Sequence, residues 1–181
     1  MITIRDSVVD DLQGINEVSH QTWLATYPNK KANITIEDVE SVYREDDPVK
    51  VKEKIERRKA RYNNPNTHIW VAEDDRRIIG FCSAIKEGEN NRIMAIYILP
   101  QYQGTGTGKK LIEQAFAWLG NTKDILVNVV EYNDHAIGFY EHMGFIKTDK
   151  SGVLDDIARL PTGKVIPEIQ MVLSNNTKNR T

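Results

Sequence analysis

Residues 101–111 read QYQGTGTGKKL, three glycines alternating with threonines and followed by two lysines. An apolar run, RIMAIYIL, precedes them, and Leu111, Ile112, Ala115, Phe116 and Leu119 follow at helical spacing. A strand that runs into a glycine loop opening a helix points backbone N–H groups and the positive end of the helix dipole at one place. That chemistry is anion binding, and a diphosphate fits it without a metal. Two common versions fail residue by residue. A nucleoside-triphosphate loop ending at Gly108-Lys109 would need glycine at Gln103 and a hydroxyl at Lys110. A dinucleotide fingerprint starting at Gly104 and Gly106 would need a third glycine at Lys109.

The stretch IYILPQYQGTGTGKKLI resembles the coenzyme A signature of the GNAT superfamily of N-acetyltransferases, Gln/Arg-x-x-Gly-x-Gly/Ala, at Gln103, Gly106 and Gly108. A second family block, an asparagine before a helix with Phe-Tyr and a Gly-Phe ending, is matched by NDHAIGFYEHMGF, residues 133–145. The blocks stand in the expected order and spacing, and the resemblance covers roughly residues 68–148 in detail.

The resemblance implies transfer of acetyl from acetyl-CoA, as co-substrate and with no metal, by direct attack of an amine. It puts the pyrophosphate on Gln103, Gly104, Thr105, Gly106, Thr107 and Gly108, and the pantetheine amides on the backbone of Ile96, Tyr97 and Ile98. Tyr140 matches the tyrosine that donates to the departing sulfur; a phenol near pKa 10 stays protonated at neutral pH. Its helix face, shared with Ala136 and Met143, fits a core aromatic equally. Asn133 can cap its helix, contact the pantetheine arm, or do both. Many family members carry a glutamate on the strand before the loop. The matching position here is Arg92, which leaves Glu131, Glu89, Glu87 or a water chain as the base, with Glu131 preferred. Trp23 and Tyr27, in QTWLATYPN, fit either core packing or a substrate wall whose aromatic faces bind a cation. The acceptor is a small-molecule or protein amine, and a homodimer is left open as a further partner. A non-catalytic acyl-CoA sensor or interaction module on the same fold is the alternative.

The elements that must position these residues read β-α-α-α-β-β-β-α-β-α-β-β along the chain. Ser7 with Asp10 and Thr35 with Asp38 resemble capping boxes, and Asp47 before Pro48 is a third helix start. The first helix is expected to end near Trp23. HIWVAED and RIIGFCSAIKE flank the polar turn DDR as a hairpin. DILVNVVE reads as a strand buried on both faces. Pro167 points to an edge or a bulge in the last strand. The resulting fold class is α/β: three layers, a mixed, mostly antiparallel sheet with helices on both faces, as in GNAT-like acyltransferases. One domain is expected over residues 1–173, with a polar, disordered tail at 174–181.

Composition bounds the rest. The 181 residues are 40% hydrophobic and 28% charged, with a net charge of −2, so no basic field recommends a nucleic-acid partner. KVKEKIERRKARY reads as a solvated helix face with i,i+4 ion pairs. The single cysteine, Cys82, lies in an apolar strand and reads as structural. No signal segment or bilayer-length apolar run is seen, which gives a cytoplasmic protein without a membrane partner as the expectation.

Overall fold

The computed structural model describes residues 1–44, 47–154 and 158–175. The chain divides into two compact units, each stitched from three stretches: Met1–Thr22, Glu45–Glu87 and Ile93–Gly120 in the first; Trp23–Arg44, Gly88–Arg92 and Asn121–Thr181 in the second. Among the described residues the elements are β1 (Thr3–Asp6), α1 (Leu12–Thr26), α2 (Ile36–Glu40), α3 (Pro48–Ala60), β2 (Thr67–Asp74), β3 (Arg77–Lys86), β4 (Asn91–Ile98), α4 (Thr107–Leu119), β5 (Ile125–Val130), α5 (Asp134–His142), β6 (Ile146–Gly152) and β7 (Glu168–Leu173). The order is the one the periodicity predicts.

In the first unit the strands lie in the order β1-β2-β3-β4. The β2–β3 hairpin turns at Asp75 and Arg76, both with positive φ, as a tight antiparallel turn demands. β3 is the most buried strand. A side chain at Gly80 would meet the Ile98 side chain at 2.5 Å and the Tyr97 carbonyl at 2.9 Å, so only glycine lets the backbone of β4 approach this closely. Arg5 gathers the unit's start: its guanidinium binds Asp11 at 2.7 and 2.8 Å and Glu73 at 2.6 Å.

Three local expectations shift. The carboxylate that caps the first helical turn is Asp11 rather than Asp10: it accepts from the backbone N–H of Val8 at 2.9 Å and the Ser7 hydroxyl at 3.3 Å. The turn begins as a 3-10 segment, Val9–Asp11, which moves the cap by one residue. α1 then runs three residues past Trp23, to Thr26. α3 is solvent-facing as expected, with no buried residue, but one ion pair among the described residues, Lys59 with Glu56 at 3.1 Å, is spaced i,i+3.

In the second unit the order is β5-β7-β6, with antiparallel pairing throughout. β7 is therefore central, not an edge. Pro167 precedes its first residue, where no ladder N–H is needed, and its carbonyl accepts from Glu131 N–H at 3.0 Å. The Thr35–Asp38 box forms as predicted, with bonds of 2.8 and 3.2 Å. Of the polar tail, Asn175 donates its backbone N–H to Asp124 at 2.8 Å. Residues 176–181, where the rest of that expectation falls, lie outside the described residues. No helix among the described residues is long and apolar enough to cross a membrane.

Candidate active site

The glycine loop belongs to the first unit. After β4 the chain makes a short 3-10 turn at Pro100–Tyr102, fixed by Tyr102 N–H to Leu99 O at 2.8 Å and Gln103 N–H to Pro100 O at 3.2 Å. Gly104 and Gly106 then take φ of 75° and 80°, the left-handed region that a side chain would strain. Space is open above both: an added Cβ would meet nothing within 4 Å. Gly106 is the N-cap of α4, and the first helical bond is Lys110 N–H to Gly106 O at 3.1 Å. The amides of Thr107, Gly108 and Lys109 precede that bond and have no carbonyl four residues back within the helix.

Side chains brace the loop from beneath. Thr105 donates to Tyr102 O at 2.7 Å and shares a 2.8 Å hydroxyl contact with Thr107, which is 2% exposed. Gln103 Nε2 donates to Ile98 O at 3.2 Å, joining the loop to the end of β4. Ile96, Tyr97 and Ile98 are half-buried there. The result is an exposed rim of backbone donors on a rigid base, suited to a polyanion.

The second unit carries Tyr140, Asn133 and Glu131. Asn133 is the N-cap of α5: its side chain accepts from Ala136 N–H at 3.1 Å, and its own N–H donates to Val130 O at 3.0 Å, turning β5 directly into the helix. Tyr140 follows on the inner face of α5, 4% exposed, with the rings of Phe139 and Phe145 each 5.3 Å away in tilted edge contacts.

Beside this turn lies a cavity of about 410 Å³, lined by Asn29, Lys31, Ala32, Glu131, Tyr132, Val165 and Pro167. Tyr132 donates its hydroxyl to Tyr27 O at 2.8 Å. Burial, then the neighbouring Glu131 charge, pushes its phenol up to about 12, so it remains a donor at any physiological pH. Residues 29–34 close on themselves through reciprocal Asn29–Ile34 backbone bonds of 2.8 and 2.9 Å, while Asn29 Oδ1 accepts from the N–H groups of Lys31 and Ala32. Trp23 and Tyr27 stand behind this wall, 3% and 8% exposed, with ring centroids 4.7 Å apart. Neither is among the residues that line the cavity.

Of the alternative glutamates, Glu89 is placed elsewhere in the second unit. Asn91 N–H donates to Asp124 O at 2.8 Å, and Lys123 holds Gly88 O at 2.5 Å, which sets Glu89 beside the start of β5. Glu131 follows the end of β5. Six strand residues at about 3.3 Å each separate those ends by roughly 20 Å.

Residues 65–147 match the family model of the acetyltransferase (GNAT) domain. Over that segment the chain is similar to GNAT acetyltransferase domains. The segment spans both sequence blocks, the glycine loop and the α5 turn. Two curated relatives match, both named peptidyl-lysine N-acetyltransferase YjaB. The Escherichia coli protein is 34% identical over 96 residues, 52% of this chain and 60% of its own. The Salmonella typhimurium protein is 36% identical over 109 residues, 60% of this chain and 66% of its own. The chain thus spans less than two thirds of the curated relatives it matches. The PaiA N-acetyltransferase of Thermoplasma acidophilum, solved in complex with coenzyme A, superposes with a TM-score of 0.71, covering 96% of this chain and 99% of that one at 21% identity. That likeness shows the fold: GNAT-like, with a mostly antiparallel sheet and flanking helices.

Within this GNAT fold Cys82 is fully buried in β3, and burial alone pushes its thiol up to about 12, far from a reactive thiolate. Sequence reasoning missed Tyr132, Lys31 and the pair Lys164–Asp38. Tyr132 had one available signal, its place directly after Glu131 in the turn that Asn133 caps. Lys164 and Asp38, 2.6 Å apart, are 126 residues apart in sequence and had none.

Proposed function

We propose that the protein is an acetyl-CoA-dependent N-acetyltransferase acting on a primary amine by direct transfer, with residues 1–173 working as one domain. The observation that carries the reading is the loop from Gln103 to Gly108, with open space above two left-handed glycines at the start of α4. A diphosphate needs such a surface, and it lies within the segment that matches the GNAT model. The interleaving of the two units supports a single working domain, because neither is a continuous piece of chain.

Acetyl-CoA supplies a thioester-activated acetyl group. The amides of Gly104 to Gly108 bind its diphosphate, with Gln103 holding the loop in place. The backbone of Ile96–Ile98 and the Asn133 side chain orient the pantetheine arm. An alkylammonium, pKa about 10.4, must lose a proton before it attacks. Glu131, on the cavity, draws the ammonium in and takes that proton directly or through water. As the C–N bond forms and the C–S bond breaks, the Tyr140 phenol protonates the leaving thiolate, and the proton shed by the new amide nitrogen restores the phenol through water. Tyr132 fixes the acceptor wall through Tyr27, and Trp23 packs behind it. The names of the curated relatives support a lysine-type amine as acceptor.

The test is release of free thiol from acetyl-CoA across a panel of primary amines and lysine peptides. Turnover that rises with pH as the amine deprotonates is expected. Tight CoA binding with no turnover on any amine would replace this reading with that of an acyl-CoA sensor, which Arg92 at the family's glutamate position favours.

A further inference from the structure

We infer that the acceptor carries an anionic group as well as its amine, and that Lys31 selects for it. This rests on reading the cavity beside Tyr132 as the acceptor site. The cavity presents one carboxylate, Glu131, and one ammonium, Lys31, against apolar walls from Ala32, Val165, Pro167 and the Tyr132 ring. Neither charge forms an ion pair with a described residue. The nearby Lys164, by contrast, is neutralised by Asp38 at 2.6 Å, with Asp38 4% exposed. The wall therefore keeps one cation paired and leaves another open to the cavity.

The turn that bears Lys31 is fixed rather than free. Its backbone is held by Asn29 Oδ1 and by the Asn29–Ile34 bridge, so the lysine stem leaves a defined point. A ligand with an ammonium at Glu131 and a carboxylate or phosphate at Lys31 satisfies both charges. A diamine offers its second cation to Lys31 and finds no second carboxylate among the lining residues, so it is disfavoured by like-charge repulsion. A volume of about 410 Å³ accepts a short aminocarboxylate with room for water.

The experiment titrates the full chain, loaded with CoA, with 5-aminopentanoate, pentylamine and 1,5-diaminopentane, following cavity resonances by NMR. Wild type should bind 5-aminopentanoate roughly fivefold tighter than pentylamine, the size expected of a solvent-exposed ion pair, with 1,5-diaminopentane weakest. Lys31→Ala should erase the difference between the first two, and Lys31→Glu should raise 1,5-diaminopentane above 5-aminopentanoate. Added salt should narrow the wild-type preference. Equal binding of the three by wild type, or a preference that survives Lys31→Ala, would overturn the inference. Thiol release with the same amines is scored separately. A Lys31-dependent binding preference with no acetyl transfer to any of the three would show the cavity's preference for an aminocarboxylate but overturn its assignment as the acceptor site, while the enzymatic reading stands or falls on the wider amine panel.

Discussion

The glycine loop proposed to hold the diphosphate is six consecutive residues, Gln103 to Gly108, whereas the cavity beside Tyr132 takes its seven lining residues from three stretches, near 30, 131 and 166. In the proposed function the loop would recognise by backbone, through φ at Gly104 and Gly106 and the bare start of α4. The cavity would recognise by side chain, with Glu131, Lys31 and Tyr132 on turns that other side chains hold. A backbone site constrains sequence tightly, because almost nothing but glycine fits it. A side-chain site can be rewritten one residue at a time. The difference suits an enzyme whose co-substrate is shared across a family while its acceptor is its own.

The sharpest way to break this contrast is at Gly106. Asparagine tolerates the left-handed backbone, and aspartate has nearly the same shape plus a charge. Gly106→Asp should weaken CoA binding by roughly 10³-fold, from like-charge repulsion of about 4 kcal/mol at ~4 Å near a protein surface, with Gly106→Asn losing far less. Calorimetry that finds the two variants equal would remove the diphosphate from this loop.

Tyr140→Phe comes next. It removes one oxygen and leaves the ring contacts with Phe139 and Phe145, and melting is followed beside the kinetics to separate packing from chemistry. A kcat loss of ~10²-fold with little change in acetyl-CoA affinity is expected, because the hydroxyl acts as charge develops on sulfur. Wild-type single-turnover rates in the variant would make Tyr140 a core aromatic only.

Lys164→Met tests whether the wall is held as described. Lys164, more than any other partner, then Thr35, keeps the Asp38 carboxyl well below the usual carboxylate range. A group lowered on folding stabilises fully above its unfolded pKa of about 4 and loses that contribution as pH falls toward the folded value. The variant should melt several degrees lower at pH 7, and the gap to wild type should shrink below about pH 4. A gap that stays constant into acid would mean that the pair does not hold the wall.

The smallest effect is expected at Cys82. Cys82→Ala removes one buried sulfur, at a cost of about 1 kcal/mol, and should leave turnover within roughly twofold. In the native wild type the thiol should resist alkylation until the chain unfolds. Loss of transfer in a folded Cys82→Ala variant would point to an acetyl-enzyme route.

Much of this was legible in the chain itself. Thr35 with Asp38, Asp47 with Pro48 and Asn133 with Ala136 are caps whose partners lie two or three residues away, so local chemistry specifies them. The glycine loop is legible for the same reason, since a run of Gly-Thr between strand and helix is costly unless the backbone must be bare. The element order follows from periodicity. What the sequence could not say is which strands become neighbours. Pro167 looked like an edge signal because proline lacks a ladder donor, yet β7 lies between β5 and β6 with the proline just outside it. The cavity, the Tyr132–Tyr27 bond and the Lys164–Asp38 pair exist only once segments some hundred residues apart meet. Hydrogen bonds and burial over such separations leave no local period, and for that reason the loop could be read from eleven letters while the cavity wall needed the fold.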